Sequence, residues 1–448
     1  MNAFAIELDK QNQILARLAE ARAVTDDLFR IIRCDAVYDR PIPERHRIVF
    51  YIGHLEAFDW NLIAGQALGL GPAHKEFDHL FAFGIDPVGT GLPDDKPSDW
   101  PSLTEIDAYN SRVRKQIDHL LESQPQSSPN PWQFPQELIL NAAIEHRLMH
   151  AETLAYMLHQ LSPDLKIPAS NYQAINARPT VPVASRMIEI PAGFATLGIR
   201  REAESFGWDN EFDEHSVAVP AFAIGSQKVT NGEFLRFVRE GGYNEPRFWN
   251  PADWAWIKEQ NIDHPCLWFT SGGNWYYRAM FEEVPLPLDW PVYVSHAEAA
   301  AYARFTGQSL PSEAQFQRAA YGTPQGSDEI GKAYPWGDAP PDASRGNFDF
   351  QRWDPVAVGS YPAGRSAFGL DDTLGNGWEW TSSPFAPYKG FEPFPFYPGY
   401  SANFFDENHF VVKSASPRTA ACMLRRTFRN WFQPHYPYVY ASFRCVEN

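Results

Sequence analysis

The pattern of apolar residues changes abruptly near residues 163–185, and this change limits how the chain can fold. Before it, apolar residues recur every three to four positions, as they do in amphipathic helices. The segment itself is broken by four prolines, and no periodicity continues through it. Beyond it lie twelve of the 15 tryptophans, in short runs between glycine and proline turns. A 448-residue chain with this break predicts two domains, 1–165 and 185–448, joined by a linker at 166–184.

The first domain contains four long stretches with helical periodicity. They predict helices over Ile6–Arg33, from after Pro43 through His54 to about Ala67, over Leu103–Leu121 and over Gln136–Leu161. Four helices of this length favour a four-helix bundle. Such bundles build metal sites from inward-facing side chains on neighbouring helices.

Three histidines of this domain are candidate metal ligands. His146 and His150 are four residues apart and therefore project from one face of the fourth helix, while His54 lies on the second. Three neutral imidazoles without a fourth protein ligand leave positions for water, oxygen or substrate, as catalytic metal centres do. Because Arg147 stands where a zinc peptidase has its glutamate, zinc peptidase chemistry is disfavoured. The alternative is that these are ordinary core histidines, since the chain has 13.

The second domain is predicted to mix short helices with short strands. Helical patterns are short, and strand-like runs lie between turn residues. The predicted helices are Asn231–Glu240, Ser295–Thr306 and Ser312–Tyr321, and the predicted strands are Arg186–Ile190, Phe194–Ile199 and Val356–Gly359. The chain as a whole is therefore expected to be an α+β multidomain protein.

Composition excludes several classes of partner. The formal net charge of −17 argues against nucleic acid and against an anionic membrane surface. The sequence contains no apolar run of about 18 residues that could span a bilayer, and its first residues do not form a signal-peptide pattern. The four cysteines are scattered, as in a protein with reduced thiols. We therefore expect a soluble cytoplasmic protein, with its oligomeric state open.

Several strings in the second domain occur in the order of a known family. They are IPAGF (190–194), QKVTNGEF (227–234), PVYVSHAEA (291–299), LPSEAQFQRAA (310–320), YPWG (334–337) and GNGWEWT (375–381). Together they resemble the formylglycine-generating-enzyme-type domain, which has a C-type-lectin-like fold. The first domain is similar to DinB-type four-helix bundles. In this order the two domains resemble the nonheme-iron sulfoxide synthases of ergothioneine and ovothiol biosynthesis, and the selenoneine synthases that share their architecture.

This resemblance implies a reaction and a set of site residues. It implies that Fe(II), bound by the three histidines, and O2 join a sulfur or selenium donor to the imidazole C2 carbon of hercynine, a trimethylated histidine. By position Tyr397 would be the catalytic tyrosine, which transfers a proton or a hydrogen atom. Tyr400, Asn430 and Trp431 would hold hercynine, whose quaternary ammonium group requires aromatic faces because it cannot donate a hydrogen bond. Core packing is the alternative role for these aromatic residues.

Departures from the family pattern bear on the donor. The stretch Ile48–Ser111 contains no arginine, and Phe432 and Tyr436 stand where relatives that use gamma-glutamylcysteine have an acid and an arginine. Met149 stands where a glutamine near the betaine is frequent. A carboxylate-bearing donor would need such cationic partners. These departures favour the selenoneine synthase branch, whose donor is a selenosugar. The polar loop residues suited to a sugar are Asp86, Asp94, Asp95, Lys96, Ser98 and Asp99.

Three other functions stay open at this point. The donor could be cysteine or gamma-glutamylcysteine, as in ergothioneine-type synthases, with the arginines at 425, 426 and 429 binding its carboxylates. The chain could be a non-catalytic ligand-binding protein, since lectin-like domains often only bind. It could also be a formylglycine-generating oxidase, although Cys422 lies outside any matching motif.

Overall fold

The computed structural model divides into two compact units, 1–172 and 173–448. It describes residues 3–82, 94–122, 132–169, 172–175, 185–203, 205–324 and 332–447. The division falls inside the predicted linker, most of which lies outside the described residues.

The first unit is helical. Its helices are α1 (Ala3–Arg30), α2 (Ile48–Asp59), α3 (Lys75–Leu80), α4 (Leu103–Glu122) and α5 (Gln136–His159), and α2 continues as a π-helix over Trp60–Ala67. The four predicted helices are all present. The second begins five residues after Pro43, because the Arg45 N–H donates to the Ile42 carbonyl in a turn and the Ile48 N–H donates to the Asp39 carbonyl.

The α5 helix is the centre of this unit. It packs along α1 and against α2, and α2 also packs against α4. Nearly every residue from Ile139 to His159 is buried, including polar ones, and Met149 and Thr153 are the two partly exposed positions in that range. A helix that is buried all round can carry inward-facing ligands.

No helix among the described residues is long and apolar enough to cross a membrane.

The described residues of the second unit form four short α-helices and twelve short strands. The helices are α6 (Asn231–Arg239), α7 (Pro251–Glu259), α8 (His296–Phe305) and α9 (Glu313–Tyr321). The first six strands are β1 (Met187–Ile190), β2 (Gly193–Leu197), β3 (His215–Val219), β4 (Phe222–Gly225), β5 (Trp268–Ser271) and β6 (Asn274–Arg278). The others are β7 (Glu283–Pro285), β8 (Gly377–Pro384), β9 (Phe410–Ala415), β10 (Asn430–Phe432), β11 (Ala441–Ser442) and β12 (Val446–Glu447).

The sheets are small and mostly antiparallel. Their strand orders are β1-β4-β12, β10-β9-β8-β11, β2-β3 and β5-β6-β7. The second of these carries the predicted substrate residues, because β10 pairs antiparallel with β9 and places Trp431 opposite Val411. This mixed architecture agrees with the predicted α+β class.

One predicted strand is wrong. Val356–Gly359 forms no strand, although its sequence is rich in β-branched residues. A side chain takes the place of a neighbouring strand: Asn376 accepts a hydrogen bond from the Val356 N–H at 2.9 Å and donates one to the Val356 carbonyl at 2.9 Å. The Gly359 N–H donates to Asp372 Oδ2 at 2.8 Å. Side-chain partners across 13 to 20 residues leave no signal in a local pattern.

A buried group of three charges lies in the core of the second unit. Glu379 accepts hydrogen bonds from Lys228 Nζ at 2.7 Å and from Arg444 Nε at 2.6 Å, and all three side chains are fully buried. Burial alone would raise the pKa of Glu379, but Arg444 and Lys228 hold it below its ordinary value. The group joins β8 to the segments that precede α6 and β12.

We expect Glu379→Gln to lower the free energy of unfolding by about 3–5 kcal/mol, because it leaves two buried cations without their counter-charge. Glu240→Gln is the control, since it removes only the exposed Arg236–Glu240 pair, worth less than about 1 kcal/mol. Chemical denaturation of the two variants measures both values. Equal stability of the two would show that the buried charges do not hold the second unit together.

Candidate functional site

Three buried histidines meet between α2 and α5. His150 Nε2 lies 3.1 Å from His54 Nε2 and 3.1 Å from His146 Nε2. The three form the one cluster of possible metal-ligating groups among the described residues, and each is at most 4% exposed. The structure therefore brings His54 together with two predicted ligands, His146 and His150, that lie more than 90 residues later in the sequence.

Burial keeps these rings neutral. It lowers the pKa of His54 to about 4. Burial, followed by the neighbouring histidines, also lowers the pKa of His146 and of His150 well below the ordinary value. A metal ion binds the neutral imidazole, so no proton has to be displaced from these nitrogens near neutral pH.

A backbone carbonyl sets the tautomer of His54. Its Nδ1 lies 2.6 Å from the carbonyl oxygen of Phe81, which can only accept a hydrogen bond. The proton of the neutral ring is therefore on Nδ1, and the lone pair of Nε2 points toward the other two histidines. Metal-binding histidines in proteins are commonly oriented in this way.

The donor set is one that a metal ion with open coordination positions can use. His150 Nε2 lies 3.1 Å from each of the other two Nε2 atoms, so a single ion could bind all three rings. Neutral imidazoles suit Fe(II) among other divalent transition metals. The described residues place no fourth ligating side chain in this cluster, which would leave coordination positions for substrates.

A buried charge network holds the two histidine-bearing helices in register. Arg147 Nη2 donates to Asp59 Oδ2 at 2.6 Å and Nη1 donates to Glu56 Oε1 at 3.0 Å, with all three side chains at most 1% exposed. Arg147 follows the ligand His146, and Glu56 lies two residues after His54. The residue that excludes a zinc peptidase therefore fixes α5 against α2.

Phe58 contacts this cluster, and Met149 is next to one of its histidines in sequence. The Phe58 ring stacks on His146, with centroids 3.3 Å apart. Met149, predicted to line the substrate site, is partly exposed one residue before His150. Its position beside the histidines is compatible with that role.

The second unit gathers the predicted aromatic residues. Trp431 stacks on Phe385 with centroids 4.1 Å apart, and the edge of Tyr400 approaches it at 5.5 Å. Tyr400 in turn stacks on Trp208 at 4.0 Å. Tyr397 lies 5.6 Å from Tyr400 and is partly exposed. Tyr397, Tyr400 and Trp431 thus belong to one aromatic cluster with a partly open side.

Asn430 and Phe432 lie apart from the rings of this cluster. Neighbouring residues of a strand point to opposite faces, and Phe432 packs with Tyr436 at 6.0 Å and with Trp380 at 6.4 Å. The Asn430 side chain accepts a hydrogen bond from the Trp431 N–H at 2.9 Å. This bond is to the backbone of the next residue, and Phe432 belongs to a second aromatic group.

The loop that carries Tyr400 is fixed by Trp208 and Asp209. Ser401 donates a hydrogen bond to the buried Asp209 carboxylate. Burial raises the pKa of Asp209 to about 6. A stacking contact of Tyr400 and a hydrogen bond of Ser401 therefore hold two consecutive residues of this loop.

The arginines that could have bound a donor carboxylate are paired with acids. Each lies within hydrogen-bonding distance of one carboxylate of the second unit. The pairs are Arg425 with Glu211 at 2.5 Å, Arg426 with Glu214 at 3.3 Å and Arg429 with Glu313 at 3.0 Å. Arg429 is 2% exposed, so its guanidinium is part of the core.

Acidic side chains in the polar loop of the first unit also have partners within the protein. Asp95 pairs with Arg40 and Arg47 and accepts a hydrogen bond from the Trp100 indole at 2.8 Å. Asp99 caps the turn that starts at Lys96. These acids hold the loop in place, and Asp86 lies outside the described residues. A sugar-binding role for the loop stays a prediction.

Comparisons with known proteins identify the family. A family model described as the sulfatase-modifying factor enzyme 1-like domain matches residues 172–448. The chain belongs to this family. Hercynine oxygenase of Mycolicibacterium smegmatis is 34% identical over 350 residues, which cover 76% of this chain and 77% of that protein. A second hercynine oxygenase, from Mycolicibacterium thermoresistibile, is 37% identical over 309 residues, which cover 68% of this chain and 67% of that protein.

A fungal relative matches almost the whole chain. Ergothioneine biosynthesis protein 1 of Neurospora crassa is 28% identical over 504 residues, which cover 92% of this chain and 55% of that protein. The chain thus spans about half the length of the fungal protein. With these relatives the chain is an enzyme, an oxidoreductase, and the non-catalytic alternative is set aside.

Several residues of the site escaped prediction from sequence. Phe58 could have been found, because it lies four residues after His54 on the same helix. Phe81 and Trp208 contact the site from distant segments, and no local pattern marks them. Their roles depend on tertiary contacts.

We expect His146→Ala to weaken binding of Fe(II) or of its probe Co(II) by more than about 100-fold, because it removes a direct ligand. His119→Ala, at an exposed position on α4, should leave the affinity unchanged. Anaerobic titration monitored by Co(II) absorption measures both. Unaltered affinity in His146→Ala would rule out this cluster as the metal site.

Proposed function

We propose that this enzyme forms a carbon–chalcogen bond at the imidazole C2 carbon of hercynine, using Fe(II) and O2, and that its donor is a selenosugar. The cluster of His54, His146 and His150 carries the proposal, because it gathers three buried neutral imidazoles and no fourth ligating side chain among the described residues. The similarity to hercynine oxygenases supports hercynine as the acceptor. On this proposal the first unit is a DinB-type bundle.

The stoichiometry of the reaction follows from the bonds that change. Forming the carbon–selenium bond removes one hydrogen from hercynine C2 and one from the selenol, with two electrons. If the product leaves as a selenoxide, two more electrons come from selenium, and one oxygen atom of O2 enters the product while the other becomes water. When bound, Fe(II) supplies the site at which donor and O2 react. A product that leaves as the selenide takes two electrons to O2, which then leaves as hydrogen peroxide, or as two waters if a further two-electron donor acts.

The chain's own groups bind and protonate. The faces of Trp431 and Tyr400 suit the trimethylammonium group of hercynine, which aromatic quadrupoles attract. The Asn430 side-chain oxygen accepts a hydrogen bond from the backbone N–H of Trp431, and its amide group is proposed to line the hercynine site. The Tyr397 phenol is partly exposed at the edge of the same cluster, and it is the group proposed to deliver a proton or a hydrogen atom.

A neutral donor agrees with the way the arginines of each unit are paired. The arginines at 425, 426 and 429 are bound to acids, and so are Arg40 and Arg47. A donor with free carboxylates would have to compete for these cations, whereas a polyhydroxylated sugar needs only hydrogen bonds. This favours a selenosugar.

Arg45 favours the rival donor. It is 8% exposed and close enough to His150 for its charge to lower the pKa of that histidine, after the larger effects of burial and His54. A guanidinium has five donors and can serve more than one partner. Cysteine or gamma-glutamylcysteine bound at the metal could place a carboxylate near it.

Competition between donors tests the proposal. The protein is loaded anaerobically with Fe(II) and then exposed to oxygen with hercynine, a 1-selenosugar, its thiosugar analogue, cysteine and gamma-glutamylcysteine. Mass spectrometry of the products should show a hercynine–selenosugar adduct that His146→Ala abolishes. A cysteine-derived sulfoxide as the main product would assign the ergothioneine-type reaction. Bound iron with neither adduct nor O2 uptake would overturn the proposal.

We expect Tyr397→Phe to lower kcat by about 100-fold or more, as loss of a proton donor does, while the Kd for hercynine stays near that of the unaltered enzyme. Tyr276→Phe, which removes a phenol from β6, is the matched control. Stopped-flow turnover and equilibrium binding measure the two constants. A change confined to the Kd would make Tyr397 a binding residue.

Arg45→Gln distinguishes the two donors. If the donor is a selenosugar, the KM for it should stay unchanged in this variant. If a donor carboxylate binds Arg45, the KM for cysteine should rise by about 10-fold or more, the loss expected for one charge-assisted hydrogen bond. Steady-state kinetics with each donor, on protein shown to be folded by circular dichroism, gives the comparison.

A further inference from the structure

Gly53 lies directly before the ligand His54, and its missing side chain leaves room for an aromatic ring. A Cβ built at Gly53 would lie 2.5 Å from two atoms of the Phe81 ring and 2.6 Å from a third. Such distances are far below contact, since carbon atoms pack at about 3.5–4.0 Å. The Phe81 ring therefore rests on the bare backbone of α2.

The same residue holds the ligand. The carbonyl oxygen of Phe81 accepts the Nδ1–H of His54 at 2.6 Å. The ring fills the space at Gly53 while the carbonyl binds the next side chain, so one residue meets two consecutive positions of α2. A shift of Phe81 would change both contacts together.

Phe81 has little freedom to move elsewhere. It is fully buried at the end of α3, and its ring packs near Phe50 at 6.4 Å and near Trp100 at 6.1 Å. The α3 helix is itself anchored, because Asp78 accepts a hydrogen bond from the Tyr109 hydroxyl at 2.8 Å. A side chain at position 53 would displace the carbonyl from His54.

We propose that Gly53 is a positioning residue of the metal centre: it admits Phe81, whose carbonyl fixes the tautomer and direction of His54. The inference rests on the proposed role of the three histidines as metal ligands. Partners that orient a ligating histidine typically contribute about 10- to 100-fold to metal affinity.

Gly53→Ala tests this directly. We expect the affinity for Co(II), measured by anaerobic titration, to fall by about 10- to 100-fold, with an altered visible absorption spectrum of the bound ion. The control is Gly65→Ala, in the π-helical continuation of α2, where a Cβ would meet a single atom at 3.9 Å. That variant should bind Co(II) as the unaltered protein does.

A second variant separates positioning from general damage to the fold. Phe81→Leu keeps the backbone carbonyl but replaces the ring with a smaller side chain. The double variant with Gly53→Ala should therefore regain the Co(II) affinity and the absorption spectrum, even if it is less stable to heat. Nitrogen-15 NMR of the histidine rings should show an Nδ1 proton on His54 in the unaltered protein and its loss in Gly53→Ala.

The outcomes are distinguishable from failure of the proposed function. If the unaltered protein binds no Co(II), the metal centre itself is refuted. If it binds Co(II) and Gly53→Ala binds equally well with the same spectrum, the inference about Gly53 is wrong while the metal centre stands. Lost affinity in Gly53→Ala without recovery in the double variant would also overturn it.

Discussion

The structure of the candidate site depends on a meeting of three neutral imidazoles inside a helical unit. Burying three ionisable rings with one nitrogen 3.1 Å from each of the other two is possible because burial itself removes their charge. The buried Arg147 then holds α5 to α2 through Asp59 and Glu56. A rigid framework of this kind is what a metal site with open positions needs, because helices hold ligands more precisely than loops do.

The second unit follows a different principle. Its aromatic residues stack on each other, as Trp431 does on Phe385. Its buried charged residues pair with one another, as Arg429 does with Glu313. Trp208 and Asp209 then fix the loop of Tyr400 and Ser401. Arg425, Arg426 and Arg429 are each paired with an acid, so the proposed recognition of hercynine relies on the aromatic faces.

Much of this could be read from the sequence, and the failures have physical causes. Helical periodicity and the four-residue spacing of His146 and His150 are local, so the helices and the candidate ligands were predictable. The carbonyl of Phe81 meets His54 from 27 residues away, and the Asn376 side chain replaces a strand partner for Val356. Contacts of that kind depend on tertiary structure.

Two arginines show a further cause. Arg45 and Arg47 lie just before the arginine-free stretch Ile48–Ser111, yet the charge of Arg45 acts on His150 and Arg47 pairs with Asp95. Asp95 looks like a free polar group in the sequence, because its partners Arg40 and Arg47 lie about 50 residues earlier in the chain. Charge partners decide what a polar residue does, and sequence alone does not pair them.

X-ray absorption at the iron edge of the Fe(II)-loaded enzyme tests the central claim most directly. The account predicts a six-coordinate ion with the scattering of three imidazole rings at about 2.1 Å, and a new selenium or sulfur neighbour when the donor is added. A four-coordinate ion, or a spectrum without imidazole scattering, would contradict it.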